Sequence, residues 1–176
     1  MNVRAPLWLA PAWGVGGTLL LLTGSVWRLS IKAGALRSDS LEPYHWAFGL
    51  CWLAFMVYTE AWKGFHKQFA PRVVQRAIML PRTLPLQIAA PLVCMGLLHA
   101  SPRRLFISRA LVVGIVILVQ IIRITPTPWR ELVDFGVAVG LGLGTLSLYG
   151  HAALALAGRP LQVSADYPSV PGDPRA

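Results

Sequence analysis

The sequence is poor in charge, and above all in negative charge. Charged residues make up 13% of its 176 residues, and only 7 of them are Asp or Glu, whereas an ordinary soluble domain carries about 25% charged residues. So few charges cannot cover a water-exposed surface. Together with 55% apolar residues and a mean hydropathy of +0.57, this scarcity excludes an ordinary soluble domain and predicts an integral membrane protein.

The motifs of soluble-enzyme chemistry are also missing. The sequence holds no glycine-rich nucleotide loop, no nucleophile motif and no zinc-ligand spacing. Its two cysteines, Cys51 and Cys94, lie in apolar runs outside any CxxC spacing, so they do not indicate a redox compartment. We therefore predict no catalytic residues and no metal site.

The net charge of +9 would suit a nucleic-acid partner, but the 16 Lys and Arg residues are spread between apolar runs. A nucleic-acid-binding domain gathers such residues on one soluble face. We interpret them as contacts to lipid headgroups, including those of anionic lipids, and predict no nucleic-acid partner.

Long apolar runs are what the sequence does contain. Residues 44–62 carry no charge until Glu60 and are framed by Tyr44, Trp46 and Trp62, which is typical of a membrane-spanning helix. We predict an all-α bundle of about five transmembrane helices in residues 1–160, with spans at about 7–27, 44–62, 84–100, 105–124 and 132–157. The proline-rich residues 161–176 have little to bury and are predicted to form a flexible tail.

Two of the runs allow another interpretation. Run 7–27 also resembles a secretory signal, but its length, Pro11 and three tryptophans favour a retained span. Run 84–100 is the weakest span because Pro85 and Pro91 would kink it, so we expect other helices to cover it.

Residues 63–82 mix basic and apolar side chains and are too polar to span. Pro71 suits the start of a helix and Pro81 its end, which predicts a short amphipathic helix on the membrane surface. A solvated basic loop is the alternative.

Five alternating spans would divide the candidate site residues between two sides of the membrane. His45, His99 and His151 would share one side, where paired imidazoles could hold haem or a metal; the alternative is that they contact headgroups. We predict no cofactor, with haem as the alternative.

The opposite side would gather a charged cluster, which we interpret as an ion-pair network or as the rim of a site for an acidic lipid or other anion. Its members are Glu60, Lys63, His66, Arg123, Arg130 and Asp134. Within the cluster we expect an ion pair between Glu60 and Lys63, which are three residues apart on one helix.

Three glycines in the last apolar run repeat every four residues. Gly136, Gly140 and Gly144 form a GxxxG ridge, a pattern that lets another helix approach closely. The partner helix could belong to the same chain or to a second copy.

Three segments carry a resemblance: EAWKGFHKQFAPRVVQRA (60–77), APLVCMGLLHASPRR (90–104) and PWRELVDFGVAVGLGLG (128–144). They resemble a family of small multi-pass membrane proteins of bacteria and chloroplasts. The resemblance implies the membrane architecture and no functional residue.

These observations predict a non-enzymatic membrane subunit, assembly factor or scaffold that contacts lipid and other membrane subunits. A His-ligated redox protein and a small transporter or channel are the alternatives. In the five-span arrangement each side of the membrane carries eight Lys and Arg residues. The dense basic segment 63–82 nevertheless favours a cytoplasmic N-terminus in the inner membrane of a bacterium.

Overall fold

The structure, a computed structural model, describes residues 9–34, 41–80, 83–159 and 163–167. All regular secondary structure in these ranges is helical, which confirms the predicted all-α class. A π-helix, Val57–Phe69, links the second and third α-helices. The α-helices are α1 (Leu9–Ala33), α2 (Pro43–Met56), α3 (Ala70–Ile78), α4 (Leu84–Ile88), α5 (Ala90–Cys94), α6 (Pro102–Arg123) and α7 (Trp129–Leu156).

Three of these helices, α1, α6 and α7, are long and apolar enough to cross a membrane. The shortest, α6, has 22 residues, which at about 1.5 Å per residue extends over about 33 Å. The hydrocarbon core of a bilayer is about 30 Å thick. The predicted membrane character is thus supported, whereas the predicted set of five spans is not confirmed.

A continuous helical rod contains the predicted span 44–62. The backbone stays right-handed helical at Val57 and at Ala70, so α2, the π-helix and α3 follow one another without a break. Pro43 lies in the first turn, where its missing N–H leaves no helical hydrogen bond unmade. The predicted surface helix in 63–82 is therefore the second half of this rod and not a separate element.

The inner face of α3 is covered by protein instead of lying on a membrane surface. Ala70, Val73, Val74 and Ala77 are each at most 3% exposed and pack with Cys94 of α5 and Leu148 of α7. The predicted amphipathic pattern is present in α3, but α1, α5 and α7 bury its apolar side.

Residues 84–100 do not form the predicted third span. Pro85 and Pro91 each lie in the first turn of a separate five-residue helix, α4 and α5, and the chain turns at Ala89 between them. A five-residue helix is only about 7.5 Å long, far too short to cross a bilayer. Because proline lacks an N–H and clashes with the preceding turn, each proline starts a new helix here instead of kinking an old one.

Contacts along α7 show how the long helices run. Thr23 of α1 contacts Tyr149, and Val26 lies near Gly142, so α1 is antiparallel to α7. The rod runs parallel to α7, since its residues Trp52 and Phe65 lie beside Gly136 and Gly144 in that order. We call the end where α1 begins, α3 ends and α7 ends the proximal end, and the opposite end, where α2 and α7 begin, the distal end.

The helix α6 runs from the proximal to the distal end and is joined to α7 by the short connection 124–128. Among the described helices its backbone lies close to that of α7 only, and 6% of its most apolar stretch is buried, against 44% for α7. The main core therefore lies between α1, α3, α5 and α7 in the proximal half.

Candidate functional site

The structure separates the three histidines that were predicted to share one side. His45 lies at the distal end, where its ring is 4.7 Å from that of Trp129, and its Nδ1 accepts a hydrogen bond from the Glu42 N–H at 3.1 Å. His99 and His151 lie toward the proximal end. The structure therefore does not bring His45, His99 and His151 together, because residues 84–100 stay at the proximal end. The helices α6 and α7 then run in the opposite direction to the predicted fourth and fifth spans.

A different histidine pair forms instead. The rings of His66 and His151 are 5.2 Å apart. His66 Nδ1 lies 2.9 Å from Ser147 Oγ, and the Nδ1–H of His151 donates to the Ser147 carbonyl at 2.8 Å. Within the described ranges, no three His, Cys, Asp or Glu side chains are close enough to hold a metal ion.

The predicted charged cluster is also divided between the two ends. Arg130 forms an ion pair with Asp134 at 4.0 Å, and Arg123 donates to Gln120 at 3.4 Å, both toward the distal end. Glu60 lies midway along the rod against Gly140, and His66 lies farther toward the proximal end. These residues therefore do not form one rim.

The expected ion pair between Glu60 and Lys63 does not form. Lys63 Nζ instead lies 4.6 Å from the centre of the Tyr58 ring. Glu60 and Lys63 both belong to the π-helix. A turn of a π-helix holds more residues than a turn of an α-helix, so residues that are three apart no longer share one face. The prediction failed because it assumed α-helical spacing.

The glycine ridge of α7 lies against the rod. A Cβ atom at Gly136 would lie 2.6 Å from Trp52 Nε1, one at Gly140 2.8 Å from Glu60 Oε2, and one at Gly144 2.7 Å from Phe65 Cδ2. The glycines thus allow Trp52, Glu60 and Phe65 to reach the backbone of α7, a contact within one chain.

A buried arginine defines the strongest candidate site. The side chain of Arg76 is 1% exposed, on the same inner face of α3 as Val73. Its Nε donates to the Ala165 carbonyl at 2.7 Å and its Nη1 to the Cys94 carbonyl at 3.4 Å. Gly96, with φ +76°, leaves room for the guanidinium, since a Cβ there would lie 3.1 Å from Arg76 Cζ.

Residues 163–167, which belong to the predicted flexible tail, form a strap across this arginine. The Tyr167 hydroxyl donates to the Arg76 carbonyl at 2.7 Å, and burial raises the pKa of Tyr167, so the hydroxyl keeps its proton. The Ser101 N–H donates to the Asp166 carbonyl at 3.0 Å. These five residues are therefore packed; the rest of the predicted tail, 161–162 and 168–176, lies outside the described residues.

Two further arginines lie near Asp166 of the strap. Arg72 Nε lies 3.5 Å and Arg76 Nη2 4.0 Å from Asp166 Oδ2, and Arg104, near the start of α6, is close enough to interact with all three charges. Within the described part of the chain, Arg72 Nε, Arg76 Nη2 and Arg104 Nε are buried and have no hydrogen-bond acceptor. We call Arg72, Arg76 and Arg104 the arginine cluster.

Sequence reasoning missed this cluster. It treated Arg72 and Arg76 as part of a basic surface segment and Asp166 as part of a tail. One available signal was that Arg76 follows Val73 by three residues, which places it on the apolar face of an amphipathic helix. An arginine on such a face is buried if another element covers the helix.

Comparison with known proteins found no matching protein family, no matching curated protein and no matching solved structure. The resemblance to small multi-pass membrane proteins of bacteria and chloroplasts therefore stays a prediction.

Proposed function

We propose that this chain is a non-enzymatic integral membrane protein that acts as a subunit, assembly factor or scaffold in a bilayer. The observation that carries the proposal is the exposure of α6, the most apolar of the three candidate spans. Only 6% of its apolar stretch is buried within the chain, so nearly all of it is available to lipid and to another membrane protein.

A membrane helix gains stability from close packing with other helices, because lipid already satisfies its apolar side chains. The helix α6 has little such packing in this chain, yet it carries the small residues that such packing uses. Ala110 and Gly114 are four residues apart and exposed, and a Cβ at Gly114 would meet nothing within 4 Å. We therefore propose that a helix of a second membrane polypeptide packs on this face of α6.

Charge distribution supports an orientation. With 84–100 no longer a span, eight of the described Lys and Arg residues lie toward the proximal end and four toward the distal end. The proximal group is Lys63, Lys67, Arg72, Arg76, Arg103, Arg104, Arg109 and Arg159, and the distal group is Arg28, Lys32, Arg123 and Arg130. Since cytoplasmic segments carry the excess of Lys and Arg, we propose that the proximal end faces the cytoplasm of a bacterial inner membrane.

Photo-crosslinking in living cells tests the role of α6. A benzoylphenylalanine residue at Val113 should give a protein adduct of defined mass, whereas one at Leu20, an exposed position on α1, should not. Gly114→Leu should abolish the Val113 adduct, and Gly16→Leu, which also meets open space, should leave it unchanged.

The mass of the adduct distinguishes a second copy of this chain from a different subunit. If Val113 and Leu20 both yield no protein adduct, α6 is surrounded by lipid and the subunit proposal fails.

The two alternative functions stay predictions with less support. The hypothesis of a His-ligated redox protein assumed that His45, His99 and His151 lie close together, and the structure places them apart. A small transporter or channel is favoured by one observation: Glu60 Oε2 is buried without a hydrogen-bond partner in the described part of the chain, and carboxylates within membrane helices often line ion pathways.

A further inference from the structure

The arginine cluster has more positive charge and more donors than the strap can satisfy. Arg72 and Arg76 are ion-paired with a single carboxylate, that of Asp166, and Arg104 lies three residues after Ser101, whose N–H donates to the Asp166 carbonyl. One nitrogen of each arginine is buried without an acceptor in the described chain. A buried charge is costly unless it is paired and hydrogen-bonded. The cluster can therefore bind more acceptor oxygens than Asp166 supplies.

Asp166 is also a poor occupant of the space between the arginines. Its Oδ2 atom lies 3.5 Å from Arg72 Nε and 4.0 Å from Arg76 Nη2, whereas charge-assisted hydrogen bonds of this kind measure about 2.7–2.9 Å. Its other oxygen, Oδ1, accepts a hydrogen bond from the Ser164 hydroxyl at 2.6 Å. The carboxylate is thus held between the arginines without forming close bonds to them.

We infer that the arginine cluster binds a phosphate group, with Asp166 taking its place when the site is empty. A phosphate has more acceptor oxygens than a carboxylate and matches the planar fork of a guanidinium. Arg104 lies in the first turn of the 22-residue helix α6, where the helix dipole also favours an anion.

The position of the cluster points to two sources of this phosphate. It lies at the proximal end of the bundle, where Arg72 and Asp166 are still about one third exposed, at 27% and 30%. Either a phospholipid headgroup or inorganic phosphate could therefore enter. The inference does not depend on the partner of α6.

Native mass spectrometry of the full chain in a neutral detergent tests the site. Phosphatidylglycerol should bind in a saturable one-to-one complex that phosphatidylcholine does not replace. If inorganic phosphate displaces the bound lipid, the phosphate group alone suffices; if it does not, the site requires the lipid. Both of these results support the inference. The inference is overturned if neither phosphatidylglycerol nor inorganic phosphate forms a saturable complex.

Variants with opposite effects separate binding from folding. Arg104→Gln should weaken phosphatidylglycerol binding about tenfold, because it removes a charged donor. Asp166→Asn, which removes the competing carboxylate, should instead strengthen it. Arg123→Gln, at the distal end, is the matched control and should bind like the unmodified protein.

A structural ion network predicts a different pattern. If Asp166 only neutralised the arginines, Asp166→Asn would lower stability and would not raise phosphatidylglycerol affinity. Unchanged or weaker binding by Asp166→Asn therefore contradicts the inference, even if Arg104→Gln fails to fold.

Discussion

The contact between α7 and the rod can be tested with one substitution made at two positions of the same helix. At Gly136, an added Cβ would lie 2.6 Å from Trp52 Nε1, too close for any real contact, whereas at Gly150 it would meet nothing within 4 Å. Both glycines are in α7, so Gly136→Ala and Gly150→Ala change helix propensity alike and differ in packing.

The difference in stability follows from two opposing effects. Replacing a helical glycine with alanine stabilises a helix by about 1 kcal/mol, and this gain applies at both positions. Overpacking costs about 1–3 kcal/mol and applies only at Gly136. The indole of Trp52 cannot move away freely, because its Nε1–H donates to the Val133 carbonyl of α7 at 3.2 Å.

We therefore expect the free energies of unfolding of the two variants to differ by about 1–3 kcal/mol, with Gly136→Ala the less stable. Titration with SDS from dodecylmaltoside micelles, followed by far-ultraviolet circular dichroism, measures both values. Equal midpoints for the two variants would refute the packing of α7 on Trp52. If stability fell only on dilution of the protein, the ridge would contact a second copy instead.

Two further predictions concern α5 and the topology. Burial raises the pKa of the Cys94 thiol from its ordinary 9.0 to about 12; the protonated thiol thus stabilises the fold below about pH 9, and this contribution is lost as the pH rises toward 12. In a Cys51→Ser background, N-ethylmaleimide should leave native Cys94 unmodified at neutral pH and label it in SDS, so rapid native labelling would contradict its burial. Reporter fusions after residues 79 and 101 should report the same compartment and a fusion after 126 the opposite one; a split between 79 and 101 would restore the five-span arrangement.

Hydropathy and helix-start signals correctly located most of the helices. Residues 44–62 lie within a helix that begins at Pro43, and the predicted runs 105–124 and 132–157 fall close to α6 and α7. These elements depend on local sequence, namely apolar length and proline at a first turn, and so could be predicted. Run 84–100 has similar apolar content, but Pro85 and Pro91 interrupt its hydrogen bonds, which average hydropathy does not detect.

The candidate site depended on information that local patterns do not contain. Arg76 bonds to Ala165, 89 residues away in the chain, and no periodicity links α3 to that strap. No simple sequence repeat predicts the π-helix either. Its wider turn moves Lys63, the expected partner of Glu60, toward the Tyr58 ring. Predictions that assumed α-helical spacing or a separate tail therefore failed where tertiary packing decided the geometry.

One change in topology links the corrected predictions to the proposals. When 84–100 stays at the proximal end, every later residue changes sides relative to the five-span arrangement, which separates His45 from His151. The same change brings Arg104 to the end of the bundle that already holds Arg72 and Arg76. For the 12 described Lys and Arg residues, it changes six on each side in the five-span arrangement to eight proximal and four distal. The arginine cluster and the proposed cytoplasmic orientation thus have a common cause, because both require α3, α5 and the start of α6 to lie at the same end of the bundle.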